Sequence, residues 1–170
     1  KFDFTDHSPA SKALKTKSCF ATTGVNRPYI EFNINGTTVG DNNSTLNVAS
    51  NETHRKINIL ICADGVSFDP ININNISEIE IYKNSELWYS NKSINDIFFK
   101  MSIIDNETIT GTSYDNCIQK ADGNWYIHKN SLKPVNPDEL NTGGFDYYYI
   151  RTRDTNGYAA WVGPIWVGVP

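Results

Sequence analysis

The feature that most constrains this chain is a succession of short runs in which apolar and polar residues alternate, several closed by a turn dipeptide. Tyr29-Ile30-Glu31-Phe32-Asn33-Ile34 puts Ile30, Phe32 and Ile34 on one side, and Asn35-Gly36 follows at once. A period of two belongs to a strand with one buried face, and Asn-Gly predicts a tight hairpin because both residues tolerate positive φ. Ile76 to Tyr82 alternates likewise, with Ile79 and Ile81 expected inside and Glu78 and Glu80 outside as solvated positions. Lys83-Asn84-Ser85 then makes a turn, and Glu86 to Ser90 returns. Phe145 to Arg153 is an aromatic strand, Asp154-Thr155-Asn156-Gly157 its turn, and Tyr158 to Val162 comes back, extended by Pro164 to Val167. The apolar run Lys56 to Ala63 predicts a strand buried on both faces, and Ile97 to Ile104 another strand. Asn124 to His128 reads as a short strand after Asp122-Gly123.

About nine such strands, spaced by roughly 8–15 residues, predict an all-β chain folded as an antiparallel β-sandwich of Ig-like type. One helix signal precedes them. Ser8 suits an N-cap, Pro9 the first helical position, and Ala10 to Lys17 contains good helix formers, so a short N-terminal helix is expected. Residues 1–17 then form an extension and residues 18–170 the sandwich domain. A length of 170 residues fits one domain and falls short of a (β/α)8 barrel, which needs about 250. No segment repeats with a period of about 20–50 residues, which argues against a solenoid or propeller. The long connections, Gly111 to Lys120 and Asn130 to Gly144, are expected to be irregular, the second because of Pro134, Pro137 and Gly143-Gly144.

The net charge of −4 argues against nucleic acid or an acidic membrane surface as a partner, since both attract a basic face. No apolar run reaches the roughly 18–20 residues of a membrane-spanning helix, so membrane insertion is not expected. The sequence starts without an initiator Met or a charged-then-apolar leader, which reads as a processed product or an excised domain. Asn is the commonest residue, 21 of 170, and seven sit in N-x-Ser/Thr: Asn35, Asn42, Asn43, Asn51, Asn75, Asn91 and Asn106. Chance would supply roughly three, so these are candidate glycosylation acceptors in modest excess. The three cysteines, Cys19, Cys62 and Cys117, form no C-x-x-C, and Cys62 at the end of an apolar run reads as a buried core thiol. Their pairing, including a Cys19–Cys117 disulfide, stays open.

Signals for chemistry are sparse. Asp6-His7 is the one Asp/His doublet, while His54 and His128 lie in unrelated segments, and a catalytic metal needs about three protein ligands. There is no phosphate-binding loop, no G-x-G-x-x-G and no G-x-S-x-G. No catalytic residue, metal ligand or cofactor is therefore expected. Aromatic residues are the stronger signal. Trp88, Trp125, Trp161 and Trp166 with nine Tyr suit either sandwich packing or a sugar-stacking platform. Tyr147-Tyr148-Tyr149 must place aromatics on both faces of its strand, so one face meets a partner or forms an exposed patch. Tyr147, Tyr149, Trp161 and Trp166 are the candidate interface residues, although the apolar neighbours of both tryptophans point first to core or inter-sheet packing.

Several stretches together resemble a known family. They are Ala13-Leu14-Lys15, Ser18-Cys19-Phe20-Ala21-Thr22-Thr23-Gly24, Ile30-Glu31-Phe32-Asn33-Ile34-Asn35-Gly36 with Gly40, and Ile79-Glu80-Ile81-Tyr82-Lys83-Asn84. The ending adds Asp146-Tyr147-Tyr148-Tyr149-Ile150-Arg151, then Asp154, Gly157, Ala160-Trp161 and Pro164-Ile165-Trp166-Val167. This pattern, over residues 9–167, resembles the C-terminal β-sandwich region of metallohydrolases of the polymerase-and-histidinol-phosphatase (PHP) superfamily. Its two ends are specific, and residues 85–140 match in general character. The resemblance implies a sandwich fold without that family's His- and Asp-rich catalytic barrel. The segment between Asp6-His7 and Ala21-Thr22-Thr23-Gly24 is too short for the barrel's last metal motif, so no ligand role is carried over.

Three functions follow as expectations. The first is a non-catalytic structural or interaction domain that associates with itself or with a protein partner, as in a surface, filament or virion subunit. The second is a cleaved accessory domain of a PHP-type hydrolase, and the third a carbohydrate-binding module. The sequons and the two-faced aromatic strand favour an extracellular, cell-surface or virion-surface location, with a cytoplasmic one left open.

Overall fold

The computed structural model describes residues 20–23, 27–48, 53–63, 74–109, 118–126, 134 and 145–168. The expected helix at Ser8 to Lys17, Asp6-His7, Cys19, Cys117, His128 and Asn51 lie outside these residues, as do most of the two long connections. The strands are β1 (Phe20–Thr22), β2 (Tyr29–Ile34), β3 (Thr37–Thr38), β4 (Thr45–Asn47), β5 (Arg55–Cys62) and β6 (Ile76–Lys83). They continue as β7 (Glu86–Asn91), β8 (Phe98–Asp105), β9 (Ile118–Gln119), β10 (Trp125–Tyr126), β11 (Phe145–Asp154) and β12 (Ala159–Gly168). A 3-10 turn, Asp41–Ser44, precedes β4.

Two sheets face each other. The larger runs β1-β12-β11-β6-β7, with β4 joined in parallel to the C-terminal end of β12, and the smaller runs β3-β2-β5-β8. Every other pairing is antiparallel, and β9 and β10 form a separate hairpin. The expected antiparallel sandwich is therefore the fold. Its turns follow the residues that specify them. Asn35 and Gly36 have φ of 48° and 86°, and Asn84 and Ser85 have 53° and 69°. Positive φ at both central residues twists a two-residue hairpin in the sense of its strands. In the C-terminal turn the Asp154 carboxylate accepts from the backbone of Asn156 and Tyr158, each at 2.9 Å, and Gly157 takes φ 85°.

The core lies between the sheets and is built from alternate residues. Phe32 and Ile34, then Ile57, Ile59 and Ile61, come from the smaller sheet. Ile79, Ile81, Tyr148, Ile150, Val162, Ile165 and Val167 come from the larger. Each such side chain contributes roughly 1.5–3 kcal/mol through removal from water. Two expectations are corrected here. β5 is buried on one face only: Lys56, Asn58, Leu60 and Cys62 point away from the facing sheet. Cys62 is consequently a half-exposed free thiol at the strand end, opposite Tyr29 and Phe98, rather than a core residue.

Candidate functional site: an aromatic sheet face and a buried ion cluster

The outer face of the larger sheet collects the four residues singled out in the sequence. Along β11, Asp146, Tyr148, Ile150 and Thr152 are buried, while Phe145, Tyr147, Tyr149, Arg151 and Arg153 alternate with them on the outside. Tyr147 is directly opposite Trp166 on β12, and Arg151 is opposite Trp161. Trp161 and Trp166 are five residues apart, so a regular strand would send them to opposite faces. A bulge prevents this. Tyr148 pairs with Ile165 and Ile150 with Val162, so Gly163 and Pro164 together oppose Tyr149. Two residues against one shift the phase of the strand by one position. Val162 and Ile165 then both enter the core, and both tryptophans stay outside, half-buried. The expected core or inter-sheet packing of Trp161 and Trp166 is thus replaced by packing on the outer face.

The side chains of this face hold one another. Tyr82 and Tyr149 stack with centroids 4.8 Å apart and planes 3° from parallel. Tyr147 leans on Trp166 at 5.0 Å. The Arg151 guanidinium lies 5.7 Å from the Tyr82 ring centre and forms an ion pair with Glu80. Tyr82 donates its hydroxyl to Glu80 Oε2 at 2.9 Å. Arg153 and Lys92 approach the Glu78 carboxylate at 3.5 Å and 3.3 Å. Glu80 is only 3% exposed. The expectation that Glu78 and Glu80 are solvated is therefore corrected for Glu80, which points outward but lies beneath its partners. Burial pushes its carboxyl up, while the Tyr82 hydroxyl and Arg151 outweigh that and hold it below its usual value. Burial and the neighbouring Glu80 carboxylate raise the Tyr82 phenol.

A second cluster lies inside, at the end of the sandwich where β5 begins and β8 ends. Arg55 and Lys83 meet Asp105 and Asp146 there, with all four side chains buried. Arg55 Nη2 donates to Asp105 Oδ2 at 2.9 Å and to the Glu107 carbonyl at 2.6 Å. Lys83 Nζ lies 2.9 Å from Asp105 Oδ2 and 2.6 Å from the exposed Glu107 carboxylate. Asn84 donates to Asp146 Oδ1 at 2.8 Å and accepts from the Tyr147 backbone at 3.0 Å. Burial pushes the Asp105 carboxyl up, but the Tyr148 hydroxyl, Arg55, the Glu107 backbone and Lys83 together bring it down to about 2. Buried charges survive when they are paired and hydrogen-bonded. Arg55 Nη2 and Lys83 Nζ are, whereas Arg55 Nε and Nη1 have no hydrogen-bond partner among the described residues. The cluster pins one sheet to the other. The alternation held its signal, since Arg55, Lys83 and Asp146 are each in phase with core residues of their own strands: Ile57, Ile81 and Tyr148.

The candidate acceptors scatter. Asn35 uses its side chain in the first hairpin, donating to the His54 carbonyl and accepting from the Lys56 backbone. Asn75 donates to Asn95, Asn91 accepts from the Ser93 backbone, and Asn106 is exposed just after β8. Asn42 and Asn43 lie in the 3-10 turn. Among the described residues no group of three or more His, Cys, Asp or Glu is placed to hold a metal ion, and no helix is long and apolar enough to cross a membrane.

The fold and its outer face define an antiparallel β-sandwich with a half-buried aromatic and charged lattice on one sheet. No family model matches the chain, and neither a curated protein nor a solved structure matches it.

Proposed function

We propose that this chain is a non-catalytic β-sandwich domain that works by contact with protein, as an assembling subunit of a surface, filament or virion. The observation that carries this reading is the shared face of Tyr147, Tyr149, Trp161 and Trp166. Aromatic residues and arginine are the side chains that most often anchor protein interfaces. The state of the rings favours protein over sugar. Tyr82 and Tyr149 already occupy one face of each other, and Glu80 is taken by Arg151 and Tyr82. A sugar needs open ring faces and free hydrogen-bonding groups beside them, and this lattice has spent much of both. An extracellular or surface location accompanies the reading.

The test is the native mass of the purified chain across a concentration series, by light scattering behind a sizing column. Growth above 19.2 kDa supports assembly. A fixed monomer refutes self-assembly and favours the accessory domain of a PHP-type hydrolase, which the sequence resemblance supports. Glycan binding that disappears in Trp166→Ala would instead favour the carbohydrate module.

A further inference from the structure

The edges of the two sheets are unequal. β3 has two residues, and β1 and β4 have three each. β7 is interrupted by a register shift between its partners Ile81 and Tyr82. Short or bulged edges resist pairing with another chain. β8 has neither protection. It runs eight residues beside β5 with unbroken register from Arg55–Asp105 to Cys62–Phe98, contains no proline, and has no strand on its other side among the described residues.

The hydrogen-bond phase tells which groups are free. Ala63 donates to the Ile97 carbonyl at 2.7 Å, so the odd-numbered residues of β8 bond β5, as antiparallel pairing alternates. The even-numbered residues, Phe98, Lys100, Ser102 and Ile104, turn their backbone groups outward. The Phe98 amide is capped by Asp96 Oδ1 at 3.2 Å, which marks one end of the open edge. The same four side chains are exposed on the outer face, with Phe98 at 49% and Ile104 at 41%.

We infer that β8 is the contact by which two copies of this chain join, edge to edge and antiparallel, into one continuous eight-stranded sheet about a two-fold axis at Met101. This rests on the reading of the chain as an assembling domain. Only even-to-even pairing lets the free backbone groups of both copies meet. With Lys100 opposite Ser102 and Phe98 opposite Ile104, the two exposed apolar side chains cover each other twice, and no lysine faces a lysine. A shift by two residues in one direction sets Lys100 against Lys100, which like-charge repulsion disfavours. A shift in the other direction leaves Phe98 without an apolar partner. The strand is thus complementary to itself in one register, which commits the edge to a second copy over a foreign strand. A cross-strand polar ladder, Ser102 to Asn58 and Asn58 to Asn33, each at 3.0 Å, already runs across this face and would continue into the second copy.

The experiment pairs light scattering with residue-resolved hydrogen exchange on the unaltered chain. Dimer formation with concentration-dependent protection of the Lys100, Ser102 and Ile104 amides is expected. Ser102→Lys sets an ammonium against Lys100 of the second copy at both ends and should weaken the dimer on the order of tenfold. Adding Lys100→Glu to that variant restores opposite charges and should restore the dimer. Both changes lie on the exposed face, and thermal unfolding checks that each variant is folded. Assembly without protection of those three amides overturns the β8 contact and leaves the assembling domain standing. A monomer at every concentration overturns both.

Discussion

The Tyr148 hydroxyl donates to Asp105 Oδ2 across 2.5 Å, a bond from β11 of the larger sheet to β8 of the smaller, beside the Lys83–Asp105 and Arg55–Asp146 ion pairs. Tyr148 is fully buried, with its ring nearly perpendicular to that of Trp88 and the centroids 6.4 Å apart. Burial and the Asp105 carboxylate push its phenol far above the ordinary tyrosine range, so it remains a neutral donor at any working pH. Tyr148→Phe keeps the ring and removes the donor. Asp105 then retains its cations but loses a short bond. The expected loss is about 1–3 kcal/mol, read from urea unfolding with an unchanged slope. A loss near zero would mean that the bond does not hold the sheets.

Asp105 also sets an acid limit. Its carboxyl falls from 3.8 to about 2 on folding. A group whose folded value is depressed stabilises the fold above its unfolded value, and that stabilisation disappears as pH falls through the folded value. The Asp105 contribution is therefore complete above pH about 4 and lost between there and about 2. Asp105→Asn removes the titrating group, so its stability should fall less steeply than the parent's across that window. The measurement is the unfolding midpoint of both chains at several pH values from 5 to 2, and parallel curves would contradict the assignment.

The outer face of the larger sheet carries a different expectation. Trp161 sits opposite Arg151 and Ala21, half-buried and outside the core. Trp161→Ala should cost about 1 kcal/mol, well below the 3–5 expected for a core tryptophan. Ile81, fully buried, provides the contrast, since Ile81→Ala should cost roughly 2–5 kcal/mol. Denaturant curves of the two variants settle the order. A larger loss for Trp161→Ala would place that ring in the core and weaken the case for an interaction face.

These cases show which parts of the structure local sequence could convey. Asn35-Gly36 and Asp154 to Gly157 were legible because the turn and its flanking alternation lie within a few residues. The outward placement of Trp161 and Trp166 was not, because counting by twos assumes an unbroken strand and the bulge at Gly163-Pro164 adds one residue. Glu80 was placed on the correct face and wrongly exposed, since its cover, Arg151, arrives from a strand about seventy residues later through register alone. The ion cluster lies between these extremes. Arg55, Lys83 and Asp146 stand in phase with Ile57, Ile81 and Tyr148, but Lys83 belongs to the expected turn and Arg55 precedes the expected strand, so two of the three lie outside the alternating runs. Arg55 and Asp105 meet only because β5 and β8 pair from end to end.

Two glycines separate backbone strain from crowding. A Cβ on Gly157 would meet nothing within 4 Å, yet the residue holds φ 85°. Gly157→Val should therefore cost on the order of 1–3 kcal/mol from conformation alone, because a β-branched residue resists the left-handed region. Gly163 has φ 124° as well, and a Cβ there would lie 2.9 Å from the Tyr149 Cβ and 3.0 Å from its Cα. The bulge leaves those atoms little room to withdraw, since Tyr149 is held by its stack with Tyr82. Gly163→Ala should thus destabilise more than Gly157→Ala, although both add one methyl group at positive φ. Thermal or urea unfolding of the two alanine variants decides it. Equal losses would show that the bulge can open without cost and that the shared outward face of Trp161 and Trp166 is not enforced by Gly163.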